Sequence, residues 1–245
     1  MTFAEASDSV LVVEDDAETR ELLTEVCRDE GIEVCAAATG RDALRLSLER
    51  RLDVVLLDLQ LPDMSGLDVC RELRRRDPRA IITIVTGRTN ELDVVLSLEL
   101  GADDYILKPF RIRELVARVR AHLRRLHASD ESTPGRDPST SLRVGRLMLH
   151  EAERIATLDG QPLALTRTEF DLLKVLAEHP GWVLTREQLV SLVWGYHEEG
   201  TSRLLDAHIK NVRRKIEVDP HHPKMLLTVR EIGYKLVEAT GPLTS

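Results

Sequence analysis

Four apolar runs in the first half of the chain each stop at a residue that phosphoryl chemistry can use. Leu11 to Val13 leads into Glu14, Asp15 and Asp16; Val54 to Leu57 into Asp58; Ile81 to Val85 into Thr86; and Tyr105 to Leu107 into Lys108. A carboxylate is a poor nucleophile until its charge is oriented and the group it attacks is neutralised, and magnesium does this with hard oxygen ligands. Glu14, Asp15 and Asp58 are such ligands. Lys108 supplies a fixed positive charge for phosphoryl oxygens, Thr86 a short hydroxyl donor, and Asp58 is the strongest candidate acceptor. One acid after a strand is ordinarily a helix cap. Four such endings in register point to a site.

Val-, Ile- and Leu-rich runs of this length, separated by helix-patterned stretches, read as buried parallel strands covered by helices on both faces. With a further strand at Glu33 to Ala37, and helices at Ala17 to Asp29, Gly40 to Arg50, Gly66 to Arg76, Glu91 to Leu100 and Arg111 to Leu126, strand and helix alternate five times. Right-handed crossovers then give an α/β, doubly wound, five-stranded parallel sheet of order 2-1-3-4-5, whose ligand site lies beyond the carboxyl ends of the strands. No glycine-rich nucleotide cradle is present.

The chain of 245 residues is long enough for two ordinary domains. Residues 127 to 141, HASDESTPGRDPSTS, drop all hydrophobic periodicity and have a linker's composition, dividing a first domain, 1–126, from a second, 142–240. No apolar stretch is long enough to suggest a membrane span, and no secretory leader is visible at Met1 to Ser9, so the default expectation is a cytoplasmic protein. Cys27, Cys35 and Cys70 have neither CxxC spacing nor clustered histidines, which argues against a zinc site or a disulfide framework.

The net charge of -8 is unevenly distributed. Residues 1 to 126 hold 19 Lys or Arg against 25 Asp or Glu, whereas residues 201 to 235 hold 8 against 4. A basic patch matters more than the total when the partner is a polyanion. In the second half, short strands are expected at Leu142 to Leu149 and Arg154 to Leu158, with Asp159-Gly160 as a turn. Three helices follow: one capped by Thr166 or Thr168 and running through His179; one opened by a Thr185–Gln188 capping box and running through Trp194; and one capped by Thr201 or Ser202 and running to about Glu217. Leu226 to Val229 and Tyr234 to Val237 read as a hairpin. On a helical wheel Leu205, Ile209, Val212 and Ile216 share one face of the third helix, and Arg203, Lys210, Arg213 and Arg214 spread over the other.

LVVEDD, LLDLQLPDMSG, VTG and DDYILKPF resemble the signatures of the receiver domain of bacterial two-component response regulators, over residues 9 to 126. The resemblance implies that Glu14, Asp15, Asp58 and the backbone carbonyl of Gln60 hold Mg2+, and that Asp58 takes phosphate from a sensor histidine kinase. It further implies a cis Lys108-Pro109 bond, a rotating aromatic switch at Tyr105, and homodimerisation on phosphorylation, with ion pairs of Asp104 with Arg118 and Glu99 with Arg125. Where the family has a basic residue to meet Glu114, this chain has Val94. Asp16 lies outside the matched acid pair and is expected at the solvent-facing start of a helix.

The segments LTRTEFDLLKVLAEHPGWVLTREQLVSLVW, SRLLDAHIKNVRRKI and LLTVREIGYKLV are similar to the winged helix-turn-helix effector domain of the OmpR/PhoB subfamily, a smaller α+β domain over residues 142 to 238. By position in that motif Arg203, His208, Lys210, Asn211 and Arg213 are the expected contacts to promoter DNA from the helix, and Thr228, Arg230 and Tyr234 those from the wing and its backbone. A buried structural role for His208 stands beside the phosphate contact, and Asp206 can serve to orient Arg203 or Lys210. Glu231 and Ile232 depart from the wing's pattern, placing a negative charge near the expected phosphate path.

Together these features predict a phosphorylation-activated transcriptional regulator, not an enzyme, with a histidine kinase, double-stranded DNA and RNA polymerase as partners. Two rivals are weighed. A magnesium-dependent aspartyl phosphohydrolase normally needs a second acid two residues after its nucleophile, where this chain has Gln60. A phosphate-independent interaction module attached to a DNA-binding domain has little reason to keep Glu14, Asp15, Asp58, Thr86 and Lys108 together.

Overall fold

The computed structural model describes residues 8–87, 91–130, 141–196 and 201–238. It divides into two compact units between Leu126 and His127.

In the first unit, strands β1 (Ser9–Val13), β2 (Glu33–Ala37), β3 (Val54–Leu57), β4 (Ile81–Thr86) and β5 (Asp104–Leu107) alternate with helices α1 (Ala17–Asp29), α2 (Gly40–Glu49), α3 (Gly66–Arg76), α4 (Glu91–Glu99) and α5 (Ile112–Asp130). All strand pairs are parallel and the order is β2-β1-β3-β4-β5, the predicted doubly wound sheet. The three central strands are almost wholly buried, while β2 and β5 at the edges mix buried and accessible positions. This is why the continuous apolar runs fall in the centre.

Helix starts are set by short polar side chains. Asp16 Oδ1 accepts from the Thr19 amide at 2.8 Å, Thr39 Oγ1 from the Asp42 amide at 3.1 Å, and Ser65 Oγ from the Leu67 amide at 3.3 Å. The first of these is the role expected for Asp16, and the bond holds its carboxyl below the usual range. Helix α5 continues to Asp130, past the predicted end at Leu126 and into the stretch read as linker; residues 131–140 of that stretch lie outside the described residues.

The second unit opens with a four-stranded antiparallel sheet of β6 (Ser141–Val144), β7 (Leu147–His150), β8 (Ile155–Leu158) and β9 (Gln161–Pro162). The single strand expected over 142–149 is in fact a hairpin, reversed at Gly145, whose φ of 57° suits a residue without a Cβ. Asp159 and Gly160 turn β8 into β9 at φ 52° and 79°, the left-handed pair that a two-residue hairpin loop needs.

Helices α6 (Arg167–Ala177), α7 (Arg186–Trp194) and α8 (Thr201–Ile216) follow, with β10 (Leu184–Thr185) between the first two. Helix α6 starts with a Thr166–Glu169 capping box and α7 with the predicted Thr185–Gln188 box. Thr201 and Ser202, expected as caps, are already helical in α8, and the residues before them, 197–200, lie outside the described residues. The chain ends in a hairpin of β11 (Leu226–Val229) and β12 (Gly233–Leu236), to which β10 adds a third strand in the order β10-β12-β11. Trp194 is fully buried where α7 meets α8.

Candidate metal centre and nucleic-acid interface

The ends of β1, β3 and β5 bring Glu14, Asp58 and Lys108 together. Lys108 Nζ donates to Glu14 Oε2 and to Asp58 Oδ2, each at 2.6 Å, while the Gln60 amide donates to Asp58 Oδ1 at 3.0 Å. Glu14 and Asp58 are buried and Asp15 is exposed, and one carboxylate oxygen from each of the three lies within 4.8 Å of the others. The parallel register explains the convergence, because Val13 is paired with Leu57 and the next residues of both strands leave the sheet at one level.

Burial, joined by the charge of Asp58, raises the pKa of Glu14 despite the hydrogen bond and charge of Lys108. Burial also opposes the charge of Lys108, but the hydrogen bonds to Asp58 and Glu14 outweigh it, so the ammonium's pKa is raised and it stays protonated. Three carboxylates around one ammonium leave surplus negative charge and hard oxygen donors in a half-enclosed space. That donor set suits a small divalent cation retaining some of its water.

Thr86 is fully buried as the last residue of β4, and its carbonyl accepts from the Lys108 amide at 2.9 Å. Tyr105 stands half-buried on β5, paired in register with Ile84, with its hydroxyl pushed up to about 12 by burial and by Asp93 and Asp58. The Lys108-Pro109 bond is cis.

Three supporting residues were not singled out in the sequence. Arg20, one turn into α1, donates to the carbonyls of Glu14 at 2.8 Å and Asp15 at 3.0 Å, fixing the acidic loop from below. Asp63 accepts from the amides of Gly40 and Arg41 at the start of α2. Gly66 is required behind Asp58, since a Cβ there would stand 2.3 Å from the Asp58 carbonyl oxygen.

Asp104 and Arg118, read as one of the pairs joining two copies, are bonded within a single chain. Arg118 Nη1 donates to Asp104 Oδ1 at 2.9 Å and Nη2 to Glu114 Oε1 at 2.9 Å, while His122 Nε2 lies 3.1 Å from Asp104 Oδ2. Asp104, Arg118 and His122 are all buried. Glu114, for which Val94 supplies no basic partner, is bonded within the chain to Arg118, one turn along the same helix.

In the second unit Arg203, Asp206, Lys210 and Arg214 are exposed along α8, with Arg230 exposed at the hairpin. Two predicted contacts of α8 face inward instead, and Tyr234, predicted as a contact of the wing, is buried as well. His208 is 1 % exposed with its ring 5.5 Å from that of Trp194, and Asn211 is 6 % exposed. These positions belong to the packed side because the hydrophobic face of α8 is wider than the Leu205, Ile209, Val212, Ile216 stripe. His208 thus takes the buried structural position that stood beside a phosphate contact, and Asn211 is not presented to solvent as base reading requires.

Arg213 and Tyr234 tie elements together. The Arg213 guanidinium donates to the Leu226 carbonyl at 2.7 and 2.9 Å and to Thr228 Oγ1 at 2.8 Å, and lies 5.8 Å from the Tyr234 ring. Tyr234, 4 % exposed, donates from its hydroxyl to Asp206 Oδ1 at 2.6 Å. Glu217 accepts from the amides of Lys224, Met225 and Leu226 at 2.8 to 2.9 Å, anchoring the loop that enters the hairpin. At the hairpin tip Glu231 adopts φ 63°, a conformation more natural to glycine, which is how the turn closes despite its departure from the expected pattern.

Two families of known proteins match the chain, one within each unit. Residues 10–120 match the response regulator receiver domain family, and residues 160–236 match the family described as transcriptional regulatory protein, C terminal. The DNA-binding response regulator MtrA of Mycobacterium tuberculosis is 46 % identical over 226 residues, covering 92 % of this chain and 95 % of MtrA. The sensory transduction protein RegX3 of Mycolicibacterium smegmatis is 45 % identical over 228 residues, covering 93 % and 98 %. Among solved structures, a RitR mutant aligns with a TM-score of 0.74 at 28 % identity over 95 % of this chain and 100 % of that one. DrrB, a Thermotoga maritima OmpR/PhoB homolog, aligns at 0.50 with 31 % identity over 94 % and 99 %.

Proposed function

The chain belongs to the two-component response regulators of the OmpR/PhoB type, DNA-binding regulators of transcription activated by phosphorylation, and on that premise we propose that Asp58 is the phosphoryl acceptor and that α8 carries the DNA-facing surface. The convergence of Glu14, Asp15, Asp58 and Lys108 carries the first half of this reading.

A carboxylate oxygen of Asp58 forms the new P–O bond as the P–N bond of the kinase's phosphohistidine breaks, and the departing imidazole nitrogen takes up a proton. Magnesium, when bound by Glu14, Asp15, Asp58 and the Gln60 carbonyl, neutralises phosphoryl oxygens. Lys108 already sits 2.6 Å from Asp58 and needs only to exchange a carboxylate for a phosphoryl oxygen. Gln60 presents an amide where a hydrolase would place its proton donor, which favours retention of the acyl phosphate. Thr86 and Tyr105 carry the state of the site toward α4 and β5 as a two-state element.

The face of α4, β5 and α5 also bears exposed Leu96, Leu107 and Ile112, apolar surface that suits the homodimer formed on phosphorylation. Glu99 and Arg125 border this face, and Asp104 and Arg118 are drawn into it only if their internal pair reopens. Two linked winged helices then bind tandem half-sites with an affinity neither has alone. Arg203, Lys210 and Arg214 enter the major groove, Arg230 and Thr228 follow the neighbouring strand, and RNA polymerase reads the assembled complex.

Incubation with acetyl phosphate and magnesium tests the acceptor directly. The wild-type chain gains the mass of one phosphoryl group and Asp58→Asn gains none. A wild-type chain with no gain, or an Asp58→Asn variant with the same gain, refutes the assignment.

A further inference from the structure

One carboxylate stands in the middle of the cationic face of α8. Asp206 lies one turn from Arg203 on one side and one turn from Lys210 on the other, with its side chain 49 % exposed. An acid on a surface meant for phosphates opposes binding. A solvated accident would leave it without structural ties, yet Asp206 Oδ1 accepts from the Tyr234 hydroxyl at 2.6 Å and from Arg186 Nη2 at 3.2 Å.

Arg186 is the first residue of α7, and it also reaches the Tyr234 hydroxyl at 3.1 Å with its guanidinium 5.0 Å from that ring's centre. The Arg186 amide donates to the Ile232 carbonyl at the hairpin tip, at 3.2 Å. One carboxylate therefore joins the start of α7, the middle of α8 and the strand β12 of the wing. These are the three elements whose mutual angle fixes how the unit meets a duplex.

Resting on the reading of α8 as the DNA-facing helix, we propose that Asp206 is a specificity-determining residue of that interface: it offsets the charge of Arg186 and holds Arg186 and Tyr234 in one geometry, so that arbitrary duplex is bound weakly. Without it, Arg186 becomes one more mobile cation able to settle on any phosphate. Phosphate contacts carry no sequence information of their own, so a gain of this kind raises background binding more than target binding.

The test uses the full chain, a duplex of arbitrary sequence, and the genomic fragment that the wild type retains best, each titrated over a range of salt. Asp206→Asn keeps the shape and an acceptor for the tyrosine while removing the charge. It is expected to bind the arbitrary duplex about threefold more tightly, with a slope of log affinity against log salt steeper by about 0.9, the increment of one further phosphate contact. The preference for the genomic fragment falls accordingly. A purely structural role for Asp206 would lower both affinities and leave the slope unchanged, which overturns the proposal.

Arg186→Gln supplies a second arm that does not depend on the Asp206 variant folding. With Asp206 intact Arg186 is already offset, so this substitution is expected to change the slope by far less than Arg230→Gln, which removes an exposed cation of the hairpin and with it about 0.9. Equal losses from the two overturn the inference alone. A wild-type chain that retains neither duplex at low salt overturns the DNA-facing assignment of α8, and this inference with it.

Discussion

Lys108 and Lys210 are the cations proposed for the phosphoryl site and for the DNA-facing helix, yet the two units treat them in opposite ways. The first is half-buried between two carboxylates at 2.6 Å, and the second is exposed on a helix whose opposite side packs the core. A site that must place a phosphoryl group against one oxygen needs its charges fixed before the reaction, so it encloses them among partners of opposite sign. A surface that meets a polyanion receives its counter-charges from the partner and displays its cations. The same chemistry therefore makes the enclosed charges of the receiver site part of its stability, whereas the charges displayed on the outer face of α8 matter far less to the stability of their own unit.

The largest consequence falls on folding. Lys108→Ala leaves Glu14 and Asp58 buried without their cation, and breaking a buried ion pair in this way costs about 3 to 5 kcal/mol. The receiver unit should therefore melt at a markedly lower temperature, with partial recovery in magnesium, whereas Lys210→Ala should leave the melting of the second unit within experimental error. Equal melting shifts in the two variants would erase the contrast.

Arg213 breaks the pattern of display and sharpens it. Its guanidinium is spent on the Leu226 carbonyl and on Thr228, and burial lowers its pKa. Arg213→Ala is expected to cost about 1.5 to 3 kcal/mol, the usual worth of hydrogen bonds to a charged group, and to weaken DNA binding through a loosened wing. Lys210→Ala instead weakens binding with the fold intact and reduces the salt slope by about 0.9. Calorimetry beside a salt-dependent DNA titration separates the two, and a DNA defect in Arg213→Ala with no thermal shift would return Arg213 to the displayed set.

The difference also explains what could be read from the sequence. Strand ends are fixed by where apolar runs stop, so Glu14, Asp58, Thr86 and Lys108 were legible one residue at a time, and the parallel register then brought them to one level. The facing of α8 was not legible in the same way. Helical periodicity gives one buried stripe, but α8 is packed by α6 and α7 and joined to the hairpin through Arg213 and Asp206, so His208 and Asn211 were taken inside. Arg186 carried no signal beyond its place at the start of a capped helix. The hairpin at Gly145 was hidden because both its arms are apolar enough to pass for one strand.

A smaller effect concerns the wing tip. Glu231 holds φ 63°, which costs a residue with a Cβ about 1 to 2 kcal/mol relative to glycine. Glu231→Gly is expected to recover roughly 1 kcal/mol of that, offset in part by greater freedom of the unfolded chain. Removing its charge should also tighten DNA binding slightly. A destabilised Glu231→Gly variant in thermal melts would mean that the glutamate side chain holds the turn.

The smallest effect is set by pH and again divides the units. Burial pushes the Cys27 thiol up to about 11 and the Cys70 thiol up to about 12, both from an ordinary 9.0, while Tyr105 in the receiver and Tyr234 in the DNA-binding unit are each raised to about 12 from 10.0. In the unfolded chain these groups release their protons first, so the folded state holds more protons and loses stability as pH climbs from about 9 toward 12. Both units carry one such tyrosine, but the two buried thiols belong to the receiver alone. Its melting transition should fall faster with alkaline pH than that of the second unit, and Cys70→Ala should flatten the dependence. Parallel decline of the two transitions would mean that the thiols ionise in place without opposing the fold.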